Sequence, residues 1–153
     1  MKRAIALILA AAWMVFIYSM SAKDAASSSV LSSGICYRLC RIFVKGFEEM
    51  DMEARLEMAA SLSFIVRKSA HFIEYTILGM LYGACFRSFG TERPFVWPVL
   101  SGTLYAVTDE VHQMFVPGRS CQLSDVLIDA AGSALGAAIA LLIAHLISNR
   151  KRK

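Results

Sequence analysis

The sequence predicts an all-α, polytopic membrane protein: four transmembrane helices, with an extracytoplasmic amphipathic helical loop between the first and second. Three observations carry that expectation. Hydrophobic residues make up 57% of the 153-residue chain and the mean hydropathy is +0.54, above the apolar share of an ordinary soluble domain. The apolar residues are bunched into four runs, approximately 4–20, 69–86, 95–115 and 123–147, each near the length that spans a hydrocarbon core. The basic residues behind the net charge of +4 sit mostly at the ends of those runs. That is orientation chemistry, not a nucleic-acid surface, because no basic stripe is interleaved with aromatics. With no internal repeat or low-complexity tract, residues 1–153 read as a single membrane domain.

The first run follows Lys2 and Arg3 and ends near Met20. A basic start and the small residues of Ser19–Ala22 also suit a cleaved signal, whereas Trp13, Phe16 and Tyr18 suit the interfacial anchor of a retained helix. Residues 23–63 form the longest polar-containing segment. Ser27, Ser28 and Ser29 offer caps for a helix from about Val30, in which Leu31, Ile35, Leu39, Ile42 and Phe43 recur at helical spacing. It reads as an amphipathic helix stopped by Gly46, followed by a second helix over Met52–Phe64. These are connectors with a packed face or, in the sharper reading, a gating lid.

Arg67 and Lys68 introduce the second run, polar only at His71, Glu74 and Thr76, all near its start. A turn with Arg87, Glu92 and Arg93 leads to Pro94, a natural first-turn residue for the third helix. That run turns polar from Thr108 and is broken by Pro117 and Gly118. Ser124 is a candidate cap for the fourth helix, where Gly132, Ser133 and Gly136 permit close helix approach. Cys36, Cys40, Cys85 and Cys121 have no paired C-x-x-C spacing. Cys85 reads as a small hydrophobe, and a disulfide from Cys121 to Cys36 or Cys40 stays open.

The short segments holding Lys2, Arg3, Arg87, Arg93 and the Arg150–Lys153 tail fall on one side of a four-span chain. The positive-inside rule places that side, with both termini, in the cytoplasm of a cell membrane. His71 and Glu74, then Asp109, Glu110, His112 and Gln113, then Arg119, and finally Asp125 and Asp129 all fall at the other, extracytoplasmic level. Ionisable groups at membrane depth are expensive and default to function. His71/Glu74 and Asp109/His112 are i, i+3 pairs on their helix faces. If the faces converge, His71, Glu74, Asp109, Glu110 and His112 are the candidates for acid–base chemistry. Lys68, Gln113, Arg119 and Asp125 are the candidates for holding a substrate. His145 lies apart and reads as interfacial.

The segments Arg67–Gly79 and Asp109–Gly136 resemble the VanZ-like membrane proteins. The residues that match are Lys68, His71, Phe72, Glu74 and Tyr75; Asp109, Glu110, His112 and Gln113; Pro117, Gly118 and Arg119; and Asp125 with Gly132 and Gly136. The resemblance implies a small helical membrane protein, and its named member is associated with low-level teicoplanin resistance. Three functions stay open. The first is an outward-facing polar pocket that acts on or binds a lipid-linked or cell-wall precursor molecule. The second is a non-catalytic binder that shields an envelope component or assists a partner. The third is an intramembrane metal-dependent enzyme, with His-x-x-Glu and Asp-x-x-His as ligand pairs. The sequence assigns no cofactor or metal and leaves catalysis open; the expected partner is the lipid bilayer.

Overall fold

The computed structural model describes residues 2–150; the end of the basic tail, Lys151, Arg152 and Lys153, lies outside the described residues. Five α-helices run among the described residues: α1 (Lys2–Ser21), α2 (Ala25–Phe43), α3 (Met52–Ser88), α4 (Val96–Gln113) and α5 (Leu123–Arg150). A 3-10 turn, Phe47–Glu49, joins α2 to α3. Helices α1, α3, α4 and α5 form a bundle centred on α3, whose most extensive packing is on α5. Helix α2 packs chiefly against α3.

Apolar side chains line the outside of the bundle as well as its core. On α4, Leu100, Leu104, Val107 and Val111 form an exposed stripe, and on α5 Leu127, Leu135, Leu142 and Leu146 do the same. The interior meanwhile holds Asp109, Glu110, Gln113, Asp129 and Ser133, all buried. A water-soluble bundle reverses that arrangement, since large exposed apolar surface is costly in water. Two helices, α1 and α5, are long and apolar enough to cross a membrane, each with a mean hydropathy of 2.1. Among the described residues α3 and α4 fall short of that measure; His71, Glu74, Asp109 and Glu110 lower their apolar character.

The close approach of α3 and α5 depends on missing side chains. A Cβ at Gly132 would lie 2.5 Å from the Phe72 carbonyl oxygen, and one at Gly136 only 2.7 Å from the Met80 nitrogen. The opposing surface of α3 is equally bare: a Cβ at Gly79 would lie 2.8 Å from Ser133 Cα, and one at Gly83 2.7 Å from Ala140 Cβ. Two small-x-x-x-small faces therefore meet back to back, the arrangement that lets helix backbones touch. The main core, Ile17, Tyr75, Leu78, Ala106 and Val126, surrounds this crossing. Cys36, Cys40, Phe47 and Ala59 build a second, smaller core between α2 and the first half of α3.

Several expectations about helix limits are corrected. The helices expected over Met52–Phe64 and 69–86 are one continuous α3, because Arg67 and Lys68 are good helix formers and mark no helix end. Helix α2 starts at Ala25, not near Val30, because Asp24 takes the capping role: its carboxylate accepts the Ser27 N–H at 2.7 Å. Pro94 precedes α4 instead of opening it, and α5 starts before Ser124, whose hydroxyl donates to Asp125. Helix α2 ends at Phe43 with Val44 as its cap, and Gly46, expected to stop it, instead opens the 3-10 turn in the left-handed conformation at φ 79°. Cys121 is an exposed free thiol, while Cys36 and Cys40 are free and enclosed in the smaller core, so no bridge joins them.

The bonds from Ser27 hold the Asp24 carboxyl below its ordinary 3.8. A lowered native value means that the cap is at full strength above pH about 4 and is lost as pH falls through that value. Asp24→Ala is expected to fray the first turn of α2 at neutral pH, read as faster amide exchange at Ser27–Val30. Unchanged exchange in the variant would show that the cap contributes nothing.

Candidate functional site

Three helices and one loop deliver polar groups to one end of the bundle. Helix α3 carries Arg67, Lys68, His71, Glu74 and Tyr75 on successive turns. Helix α4 ends with Asp109, Glu110, His112 and Gln113. The loop 114–122 adds Arg119 and Gln122, and the first turns of α5 add Asp125 and Asp129. Gly118, at φ 73°, turns that loop back over the helix ends. The loop is tied to the α1–α2 hinge by the Ala25 N–H, which donates to the Pro117 carbonyl at 3.1 Å.

A hydrogen-bonded chain joins these pieces. Ser21, at the end of α1, donates to Asp109 Oδ2 at 2.8 Å, and Gln113 Nε2 donates to the same oxygen at 3.3 Å. Arg119 Nη1 donates to Gln113 Oε1 at 3.1 Å, and its Nε to the Lys23 carbonyl at 3.0 Å. The Gln122 N–H donates to Glu110 Oε2 at 2.8 Å. Lys68 pairs with Asp125. Trp13 fixes α1 on α3 by donating from Nε1 to the Glu74 carbonyl at 2.9 Å.

Two adjoining cavities open among these groups. One, of about 100 Å³, lies between α2 and α3; His71, Glu74, Arg67 and Arg119 supply its polar wall and Leu31, Ile35 and Val66 its apolar wall. The other, of about 180 Å³, is lined by Lys68, Gln113, Ser120, Gln122 and Asp125. Arg67, His71 and Arg119 line both. His71 is only 9% exposed, and its Nδ1 has no hydrogen-bond partner among the described residues and stands 3.8 Å from Asp129 Oδ1.

Behind the cavities the interior holds polar atoms with no partner among the described residues: Tyr75 Oη, Asp109 Oδ1, Glu110 Oε1, both Asp129 carboxylate oxygens and Ser133 Oγ. Unpaired buried groups of this kind cost about 1–3 kcal/mol each, more when charged. They persist where a ligand, solvent or chemistry uses them.

The structure thus sorts the sequence candidates. Lys68, His71, Glu74, Gln113, Arg119 and Asp125 face the cavities. Asp109 and Glu110 are buried behind them. His112 lines neither cavity and stacks on Tyr18, with ring centroids 4.5 Å apart. His145 is exposed at the far end of α5 and bonds to Asn149. Sequence reasoning missed Arg67, read as a flank; Ser21, read as part of a cleavage region; and Tyr75, read only as part of a motif. The i, i+4 spacing of Arg67, His71 and Tyr75 was the available signal for all but Ser21. Among the described residues no group of three His, Cys, Asp or Glu is placed to hold a metal ion, so the His-x-x-Glu and Asp-x-x-His pairs do not assemble into a ligand set.

The VanZ/LLP1 family model matches residues 6–144 of the chain. No curated protein and no solved structure matches the chain.

Proposed function

The chain belongs to the VanZ/LLP1 family, and on that footing we propose a four-span membrane protein whose polar pocket, open to the outside of the cell, binds or acts on a lipid-linked or cell-envelope molecule. Its biological output is protection against glycopeptides of the teicoplanin kind. Helices α1 and α5 span the bilayer by their own composition. Helices α3 and α4 span it with their acids and His71 turned inward and their apolar stripes turned to lipid, the one arrangement a bilayer tolerates. At 37 residues α3 is roughly 55 Å long, against about 30 Å for the hydrocarbon core. Its first half therefore rises beyond the hydrocarbon core, and α2, amphipathic, lies against it at the membrane surface with Leu31, Ile35 and Ile42 exposed. Arg3, whose side chain donates to the Ser88 carbonyl, shares its end of the bundle with Arg87. Positive-inside bias puts that end, and both termini, in the cytoplasm.

One observation carries the pocket reading: His71, nine-tenths buried, lines both cavities with an unpartnered nitrogen. The expected result is direct. In a glycopeptide-susceptible host, wild-type protein raises the inhibitory concentration of teicoplanin. His71→Ala, inserted to the same level, returns it to that of the empty vector. Equal protection by the variant would sink the reading. Turnover and stoichiometric shielding use the same pocket; release of an altered envelope lipid by purified protein distinguishes the first from the second.

A further inference from the structure

The pocket reading leaves the chemistry of its ligand open, and the charge of the two cavities narrows it. Lys68 is already paired with Asp125. Arg119 is partly committed, to Gln113 and the Lys23 carbonyl, but a guanidinium has five donors. Arg67 makes no ion pair among the described residues. Burial pulls the Arg119 guanidinium below its ordinary value, and the charge of Arg67 pulls it further. Two guanidinium groups therefore repel one another across a shared space, with His71 beside them. Glu74 is the one carboxylate that lines the smaller cavity, which leaves the polar wall with a net positive charge.

The opposite wall is apolar. Leu31 and Ile35 of α2 line the smaller cavity, and each is also 43% exposed. That wall therefore runs from the cationic chamber out to the surface between α2 and α3. A free polar anion has no use for such an exit. An amphiphile uses both halves.

We propose that the two cavities take the phosphate headgroup of an amphiphile, held between Arg67 and Arg119 beside His71, with its apolar chain leaving between α2 and α3 over Leu31 and Ile35. This deepens the pocket reading and rests on it. Paired guanidinium forks match the oxygens of a phosphate. Glu74 accepts a hydroxyl adjoining the phosphate, and Gln113, Ser120 and Gln122 in the larger cavity serve a polar extension.

The test uses the full chain in maltoside micelles, titrated calorimetrically with dodecyl phosphate, inorganic phosphate and dodecyl glycerol. Dodecyl phosphate is expected to bind saturably, and inorganic phosphate and dodecyl glycerol more weakly. Arg67→Gln is expected to weaken dodecyl phosphate about ten-fold or more, the loss of one charge-assisted contact. Ile35→Trp, at the exit, is expected to weaken dodecyl phosphate and leave inorganic phosphate unchanged. Melting curves of each variant confirm that the fold is kept; Arg67, which has no side-chain partner among the described residues, is chosen for that reason. Equal affinity for dodecyl glycerol, or an unaffected Arg67→Gln, overturns the phosphate assignment. Equal affinity for inorganic phosphate overturns the apolar exit. Protection by the wild type and its loss in His71→Ala are read separately, so a working pocket that ignores phosphate is recognised as such.

Discussion

Gly136→Leu is expected to abolish the folded protein. A side chain at this position begins within contact distance of the Thr76 carbonyl and 2.7 Å from the Met80 nitrogen. Backbone cannot swing aside as a flexible side chain can. Overpacking costs about 1–3 kcal/mol even where neighbours adjust, and here α3 and α5 must separate along their whole crossing. The damage spreads to the site, since Thr76 and Met80 are on the helix that holds His71, and Gly136 is two turns from Asp129. In detergent the variant should lose its monodisperse peak on size exclusion and its cooperative melt. Gly34→Ala is the control: nothing lies within 4 Å of a Cβ there, and the melt should be kept. A folded Gly136→Leu protein with native melting would show that the two helices do not touch as described.

The second large effect has opposite signs on stability and activity. Asp129 is fully buried, and neither of its carboxylate oxygens has a hydrogen-bond partner. His71 Nδ1, 3.8 Å away, is within ion-pair range but too far for a hydrogen bond. A carboxylate in that position opposes folding, because breaking water contacts without replacement costs several kcal/mol. Asp129→Asn keeps the shape and removes the charge. It is expected to raise the melting temperature, because no charge then has to leave water, while protection against teicoplanin falls to the vector level. A lower melting temperature would make Asp129 a structural group, and full protection would remove it from the site.

How far the sequence led can be read residue by residue. The convergence of His71, Asp109, Arg119 and Asp125 was legible, because their positions at run ends fix their depth once the runs are helices. Gly132 and Gly136 were legible as packing residues, but their counterparts Gly79 and Gly83 were hidden in a uniformly apolar stretch. Two things were not legible. The first is the length of α3, since Arg67 and Lys68 read in the sequence as the flank of an apolar run and are equally at home inside a helix. The second is the division of the two imidazoles. Both are i, i+3 from a carboxylate, and only the folded structure separates them: His71 lines both cavities, while His112 stacks on Tyr18.

The unbroken run of α3 has a consequence for where the chain tolerates a change of length. The α2 layer is anchored near its start through Ala59, and the chamber is built about two turns further on, from Arg67 to Glu74. One residue added between Ala59 and Arg67 would turn one half against the other by about 100° and lift it by about 1.5 Å. The outer layer and the chamber are therefore phased like two cams on one axle. The segment between them is fixed in length to the residue, whereas the turn at 89–95, on the far side of the molecule, is free to grow.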